Sequence, residues 1–247
     1  MTKAKILRKD NRDHLSMRPL HFDMDPSEYA EGSCIVSYGK TKVLCTVSVE
    51  ERVPKWLAGS EKGWVTAEDS MLPRATHSRI RRDKAFSGGR SQEISRLIGR
   101  ALRSCVDMTA IPEKSIVVDC DVIQADGGTR TASITGGFVA LARAFEFLKS
   151  QGAITKDPIL FQVAGLSSGY VSGELLVDLD YEEDSNCDSD VNFVMTNKME
   201  LIEVQGTAEG APFSSSNFAE LIEKTQFAAE TIFQRQREAL GLEKTLA

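Results

Sequence analysis

Signals for several common kinds of site are missing from this 247-residue sequence. It has only three histidines, which are scattered, and its five cysteines include no C-x-x-C pair. These counts argue against a zinc site or a disulfide framework and favour a reducing compartment, so we expect a cytoplasmic protein. The N-terminal MTKAKILRKD lacks the apolar segment of a signal peptide. No run approaches the roughly 20 apolar residues of a membrane span, so we expect no membrane partner.

An overall excess of positive charge is also missing, since the net charge is −6. A nucleic-acid partner would therefore have to bind a local basic patch. Residues 74–103 provide one, with nine basic residues against two acids, whereas residues 174–190 hold eight acids and no lysine or arginine. Charge runs often only solvate a surface. Here each run adjoins a glycine-rich or strand-end segment, where functional sites tend to form.

The hydrophobic pattern predicts hairpins separated by helices. Strands are predicted at 33–50 (two, joined around YGKT), 115–123, 159–181 (two, broken at SSGYVSGE) and 191–208 (two, turning near Asn197). Helices are predicted at 91–106, from the end of the 124–136 segment to about Ser150, and at 217–240. Residues 52–73 are expected to be loop with short strands. This order indicates one compact mixed α/β domain over residues 1–247, with a core of about 11–240, rather than a purely parallel sheet.

The basic run RATHSRIRRDKAFSGGRSQE leads into a helix for which Ser91 is the predicted N-cap. The planar fork of arginine matches phosphate oxygens, and a helix N-terminus adds free N–H groups and partial positive charge. Arg90, one residue before the predicted cap, is placed to share an anion with that terminus. The rest of the run is long enough to follow a phosphodiester backbone.

A second junction of this kind is QADGGTRTASITG, residues 124–136, between a predicted strand and a helix. Gly127 and Gly128 allow backbone N–H groups to approach an anion closely. Thr129 and Ser133 add hydroxyl donors, and Arg130 adds charge. The segment is not a Walker loop. A tight turn without a ligand is the alternative, but two such junctions, each with an arginine, favour anion binding.

The acidic stretch LVDLDYEEDSNCDSDVNFVM could supply carboxylates to the same chemistry. Asp178 and Asp180 are predicted to share one face of a strand, with Asp184, Asp188 and Asp190 in a short loop after it. Clustered carboxylates either hold Mg²⁺ with several waters or supply a general acid; a solvated acidic loop is the alternative. Two anion sites and a carboxylate cluster together favour phosphoryl transfer.

Four stretches closely resemble the RNase PH family over about residues 11–238: CDVIQADGGTRTASITG, IEVQGTAEG, GGRSQEISRLIGRALR and GWVTAEDSMLPRATHSR. That family consists of phosphate-dependent 3′→5′ exoribonucleases, nucleotidyltransferases that trim transfer RNA precursors. The resemblance implies a single domain with the α+β fold of ribosomal protein S5 domain 2. It also implies a homo-hexamer built as a trimer of dimers, and RNA as the partner, with ribosomal RNA as a further substrate.

The resemblance also implies roles for individual residues. Inorganic phosphate, the co-substrate, would be bound by Arg90, Gly128, Thr129, Arg130 and Ser133. Asp184 and Asp190 would be the catalytic pair and the ligands of Mg²⁺, and Arg74, Arg79 and Arg82 would guide RNA. The segment before GGR is about two residues shorter than in the family, which leaves Arg81 as the alternative to Arg82. Asp69 and Ser70 stand where the family has an aromatic residue and glycine.

Three other functions compete with this interpretation. A non-catalytic ring subunit of the same superfamily would be expected to lack the phosphate arginines or the acids, but Arg90, Arg130, Asp184 and Asp190 are all present. A general nucleotide-binding domain would not require the arginine-rich run. Larger phosphorolytic polymerases combine two such domains with RNA-binding modules, and 247 residues are too few for that arrangement.

Overall fold

The computed structural model describes residues 8–82, 88–209 and 212–242, which form two sheets and four α-helices. The strands are β1 Leu20–Met24, β2 Gly32–Tyr38, β3 Thr41–Glu50, β4 Trp64–Met71, β5 Ser115–Gln124, β6 Val163–Val171, β7 Glu174–Val177, β8 Ser189–Thr196 and β9 Leu201–Ala208. The helices are α1 Gly89–Ser104, α2 Thr129–Ser150, α3 Tyr181–Ser185 and α4 Ser215–Ala239, with a 3₁₀ turn at Met108–Ala110.

The first sheet has the strand order β1-β2-β3-β5-β4, and the second has the order β7-β6-β8-β9. Only β4 and β5 pair in parallel among the described strands; the other pairs are antiparallel. The predicted mixed α/β class is therefore confirmed. β4, which lies in the segment predicted as loop with short strands, occupies the edge of the first sheet beside β5.

α2 contacts strands of both sheets, β2 and β3 on one side and β6 on the other. Its sequence explains this position, since fifteen of its residues, from Thr131 to Leu148, are buried. A helix that is apolar all round is stable only inside a core. The start of α2 consequently lies where the two sheets approach each other, and residues of both sheets can reach it.

Most of the predicted elements are confirmed. They include the hairpins at 33–50 and 191–208 and the C-terminal ends of α2 and α4. The break predicted at SSGYVSGE falls at Ser172–Gly173, inside that stretch. Residues 83–87, with Lys84 of the basic run, lie outside the described residues. No helix in the described part of the chain is long and apolar enough to cross a membrane.

Two local predictions are wrong. α1 begins earlier than expected, with Gly88 as its N-cap, and Ser91 lies inside the first turn, where its hydroxyl donates to the Asp69 carbonyl. Asp178 and Asp180 do not share a strand face, because β7 ends at Val177 and Asp180 caps α3.

The acidic stretch is also more ordered than the predicted loop. Asp184 lies in α3, Asp190 lies in β8, and only Asp188 is between them. The reason is a capping box, in which Asp180 accepts from the Glu183 N–H and the Glu183 side chain accepts from the Asp180 N–H. This D-x-x-E pattern starts a helix inside what reads as a run of acids.

Candidate active site

A cleft of about 90 Å³ brings together most of the predicted site residues. It is lined by Arg90, Gly128, Thr129, Arg130, Asp184, Asp190 and Asn192. These residues come from the starts of α1 and α2, from α3 and from β8. Two cations and two carboxylates thus face one small volume, although up to 100 residues separate them in the sequence.

The starts of α1 and α2 form the cationic side of this cleft. Gly88 and Gly128 are their N-caps; neither helix has a side-chain cap, and neither has an acid in its first turn. Arg90 and Arg130 are each the second residue of their helix. Backbone N–H groups in a first turn have no partner within the helix, so an anion can accept hydrogen bonds from them. The two helix starts and two arginines make a site for an oxyanion.

Asp184 and Asp190 form the acidic side. Loss of hydration in the cleft raises the pKa of both carboxyl groups above the usual aspartate value. The nearby charge of Asp184 raises the pKa of Asp190 further, while Arg130 lowers the pKa of each. A carboxyl group with a raised pKa retains its proton closer to neutral pH, as a general acid must.

Gly127 allows the phosphate-side turn to touch the acidic segment. Its φ is +79°, and a Cβ atom there would lie 2.5 Å from the Leu179 carbonyl oxygen and 2.8 Å from the Tyr181 nitrogen. Another residue would be strained by the backbone conformation and would also clash with the chain that enters α3. The glycine therefore permits the close approach that sets Arg130 opposite Asp184.

The other predicted residues are placed differently. Ser133 is fully buried in α2 and does not line the cleft, and its hydroxyl has no hydrogen-bond partner in the described structure. A direct contact between Ser133 and phosphate is therefore not supported; Thr129 is the hydroxyl residue that lines the cleft. Arg74, Arg79 and Arg82 are exposed in the segment after β4.

A ring contact connects this arginine segment to the acidic helix. The ring centroids of His77 and Tyr181 are 5.6 Å apart. Tyr181 is the first residue of α3, which also carries Asp184. This contact places His77 of the arginine segment against the start of the helix that carries Asp184.

Sequence reasoning missed three contributors to the site's surroundings. Asn192 lines the cleft, and the period of two along β8 places it on the same face as Asp190. Asp69 is only 7% exposed, and burial raises its pKa to about 7, with Arg90 and Arg130 acting in the opposite direction. Arg18, which lies outside every motif, bonds the turn at Asp126 and Gly127.

The two carboxylates fit Mg²⁺ in part. The described residues contain no group of three or more histidine, cysteine, aspartate or glutamate side chains arranged to hold a metal ion. Mg²⁺ usually keeps several waters and binds through one or two carboxylates together with substrate phosphate groups. Asp184 and Asp190 are suited to that kind of site, in which the substrate completes the coordination.

Two family models cover most of the chain. The 3′ exoribonuclease family, domain 1, matches residues 16–145, and domain 2 of the same family matches residues 162–226. The chain belongs to the 3′ exoribonuclease family. The predicted RNase PH resemblance is thus confirmed.

Curated relatives within the family agree over nearly the whole length. The chain is 49% identical over 235 residues to ribonuclease PH of Bdellovibrio bacteriovorus, covering 95% of this chain and 97% of that protein. It is 51% identical over 237 residues to ribonuclease PH of Methylobacterium sp. (strain 4-46), covering 95% of this chain and all of that protein.

Two solved structures share this fold. Rice (Oryza sativa) Rrp46 superposes with a TM-score of 0.77 at 21% identity, covering 94% of this chain and all of that one. A chain of the Archaeoglobus fulgidus exosome with RNA bound to the active site gives 0.75 at 21% identity, covering 92% of each. At this identity the likeness concerns the fold.

Proposed function

We propose that this enzyme shortens RNA from the 3′ end by phosphorolysis, so that RNA of n nucleotides and inorganic phosphate give RNA of n − 1 nucleotides and a nucleoside 5′-diphosphate. Membership of the 3′ exoribonuclease family and about 50% identity to proteins named ribonuclease PH set the class of enzyme. The observation that carries the proposal is the small cleft in which two helix starts and two arginines face two carboxylates.

Phosphate binds at the cationic side. Arg90, Arg130 and the first N–H groups of α1 and α2 offer charge-assisted hydrogen bonds to its oxygens. The attacking phosphate and the phosphodiester that it attacks are both anions, so bringing them together requires this positive charge. Fixing phosphate beside the last linkage also removes most of the entropic cost of the encounter.

The acids act on the leaving group. A phosphate oxygen forms a bond to the phosphorus of the last phosphodiester, and the bond from that phosphorus to the 3′ oxygen of the preceding nucleotide breaks. We assign Asp190 as the donor of the proton that this 3′ oxygen gains, with Asp184 as the partner whose charge raises the pKa of Asp190. In the alternative role, with both carboxylates ionised, Asp184 and Asp190 would hold Mg²⁺, which would supply further positive charge to the phosphate oxygens. Because a phosphoanhydride replaces a phosphodiester, excess nucleoside diphosphate reverses the reaction.

The RNA is a transfer RNA precursor with a 3′ extension, and ribosomal RNA is a further substrate. The exposed Arg74, Arg79 and Arg82 guide the backbone of the RNA toward the cleft, which explains how a chain of net charge −6 binds it. RNA affinity should accordingly fall steeply with salt. The working assembly is a homo-hexamer built as a trimer of dimers in the cytoplasm; the likeness to exosome chains supports a ring.

The decisive experiment is incubation of the protein with a 3′-tailed RNA, with and without inorganic phosphate, followed by identification of the released nucleotide. We expect nucleoside diphosphates, released only in the presence of phosphate. Nucleoside monophosphates released without phosphate would mean hydrolysis and would contradict the proposal.

Replacement of one acid separates binding from chemistry. Asp190→Asn should leave RNA binding intact and abolish turnover, because an amide N–H is too weak an acid to protonate the leaving oxygen. Asp188→Asn is the matched control, since Asp188 is an exposed acid of the same segment that does not line the cleft. Turnover retained in Asp190→Asn would exclude Asp190 as the acid.

A further inference from the structure

The two sides of the cleft belong to different sheets. The phosphate loop, residues 126–130, follows β5 of the first sheet, and the acid segment, residues 178–190, connects β7 and β8 of the second. Chemistry requires a fixed separation between them, because phosphate is held on one side and the acids stand on the other. Contacts across this seam therefore bear directly on the rate.

Arg18 spans the seam with one guanidinium. It is 4% exposed, and its Nε and Nη2 donate to the two carboxylate oxygens of Asp178 at 3.0 and 2.7 Å. Its backbone N–H also donates to Asp178, at 2.7 Å. On the other side, Nη1 donates to the Asp126 carbonyl and Nη2 to the Gly127 carbonyl at 3.4 Å. One side chain thus holds the phosphate loop and the acid segment together.

We propose that Arg18 is a positioning residue for phosphorolysis, which fixes the phosphate loop against the acid segment and thereby sets the distance between bound phosphate and the aspartates. This inference rests on the proposed function. Arg18 does not line the cleft, so it acts through the residues that it holds.

A second arginine, Arg8, fixes the conformation of the acid segment that Arg18 contacts. Arg8, 2% exposed, donates to the Val177 and Asp178 carbonyls, each at 2.9 Å, and to both carboxylate oxygens of Glu183 at 2.7 Å. These bonds fix the turn at Asp178, where φ is +57°. Glu183 directly precedes Asp184, so the bonds of Arg18 and Arg8 also restrain the chain that carries Asp184.

Stability alone does not account for a buried arginine and aspartate. The side chains of Arg18 and Asp178 are 4% and 2% exposed, and the loss of hydration offsets much of the attraction between two such charges. An apolar pair of similar volume would often be as stable. An apolar pair could not form the hydrogen bonds by which Arg18 links the Asp178 carboxylate to the Asp126 and Gly127 carbonyls. The specific geometry is what the charged pair supplies.

The test removes both charges at once. Arg18→Met alone would leave the buried Asp178 carboxylate, among the described residues, with only the longer ion-pair contact to Arg12, whose Nη1 lies 3.4 Å from Oδ2, and should be unstable. The double variant Arg18→Met/Asp178→Asn removes this cost and keeps at 178 a residue that tolerates positive φ. We expect its thermal stability to recover to near that of the wild type, while kcat stays roughly 10- to 100-fold lower. Phosphate affinity, measured by equilibrium binding, should change little, because Arg90 and Arg130 are untouched.

A matched control uses an ion pair outside the seam. Arg143 and Asp25 also join distant segments, with Nη2 and Oδ2 at 2.8 Å, and Asp25 likewise has a positive φ of +56°. Arg143→Met/Asp25→Asn should leave kcat and thermal stability near those of the wild type, because this pair is partly exposed and neither residue lines the cleft.

Arg18→Lys keeps the positive charge and thus the balance with Asp178, so it should fold even if the double variant does not. One ammonium group cannot reproduce the guanidinium fork, and kcat should again fall without an equal loss of phosphate affinity. The proposal is overturned if kcat is normal in Arg18→Lys or returns with stability in the double variant. It is also overturned if phosphate affinity falls as much as kcat. A wild-type protein without phosphorolysis would instead refute the proposed function.

Discussion

The four α-helices of the described residues begin in two different ways. α3 and α4 begin with capping boxes, built by Asp180 with Glu183 and by Ser214 with Asn217. α1 and α2 begin at glycine with no side-chain cap, and each carries an arginine as its second residue. A side-chain cap is worth about 1 kcal/mol. This stabilisation is absent at the two starts that face the cleft, which leaves their N–H groups available to an anion.

The strongest test of this difference is the arginine of an uncapped start. Arg130→Met should slow phosphorolysis by about a hundredfold or more, since a donor aimed at developing charge contributes roughly 3 kcal/mol. The measurement is kcat/KM for phosphate. Arg143→Met, also on α2 but outside the cleft, is the control. A wild-type rate in Arg130→Met would show that the anion does not use the start of α2.

Asp69 provides a second test of the uncapped helix starts, because it is an acid close to both cleft arginines. Its pKa is raised from the usual value to about 7 in the folded protein. Between about pH 4 and pH 7, Asp69 therefore keeps a proton in the folded state that it has already lost in the unfolded state. The free energy of unfolding should consequently fall as pH rises through this range. We expect this decrease in the free energy of unfolding to be on the order of 2 kcal/mol in the wild type and to be absent in Asp69→Asn.

Chemical denaturation of wild type and Asp69→Asn at pH 5 and pH 8 measures this effect. The difference between the two proteins isolates Asp69 from Asp184 and Asp190, whose pKa values are raised as well. Identical pH dependence in both proteins would mean that Asp69 does not titrate in this range.

Adding a charged cap to α1 should remove the difference between this uncapped helix start and the capped ones. Gly88 has φ −72° and ψ 145°, a conformation that suits a capping aspartate. Gly88→Asp should stabilise the helix slightly and weaken phosphate binding about tenfold, because its charge repels the anion at close range. Gly88→Asn caps the helix without charge and is the matched control. Equal phosphate affinity in the two variants would place the anion away from this helix start.

The smallest expected effect is at a capped start. The Ser214 hydroxyl accepts from the Asn217 N–H at 3.1 Å, and Ser214→Ala should lower the free energy of unfolding by about 1 kcal/mol. No change in kcat is expected, because the start of α4 does not line the cleft. A loss of activity beyond that of stability would link α4 to the site.

Local patterns predicted much of the fold and part of the site. Alternating and helix-periodic apolar residues identified the hairpins and the three long helices, and the two glycine–arginine junctions marked the cationic side of the cleft. The assignment of Ser133 to the phosphate site took no account of burial, because its position in a motif says nothing about burial, and only the packing of α2 inside the core shows that it is enclosed. Arg18 gave no signal at all, because its partners are more than 100 residues away in sequence.

The sequence by itself determined which segments can bind an oxyanion and which can supply a carboxyl group, because glycine turns, helix starts and arginines act locally. Only the tertiary structure decided that these segments face each other. The pairing of two separate sheets around α2, the contact at Gly127 and the buried bonds of Arg18 set that arrangement, and contacts between residues so distant along the chain leave no periodic pattern to read.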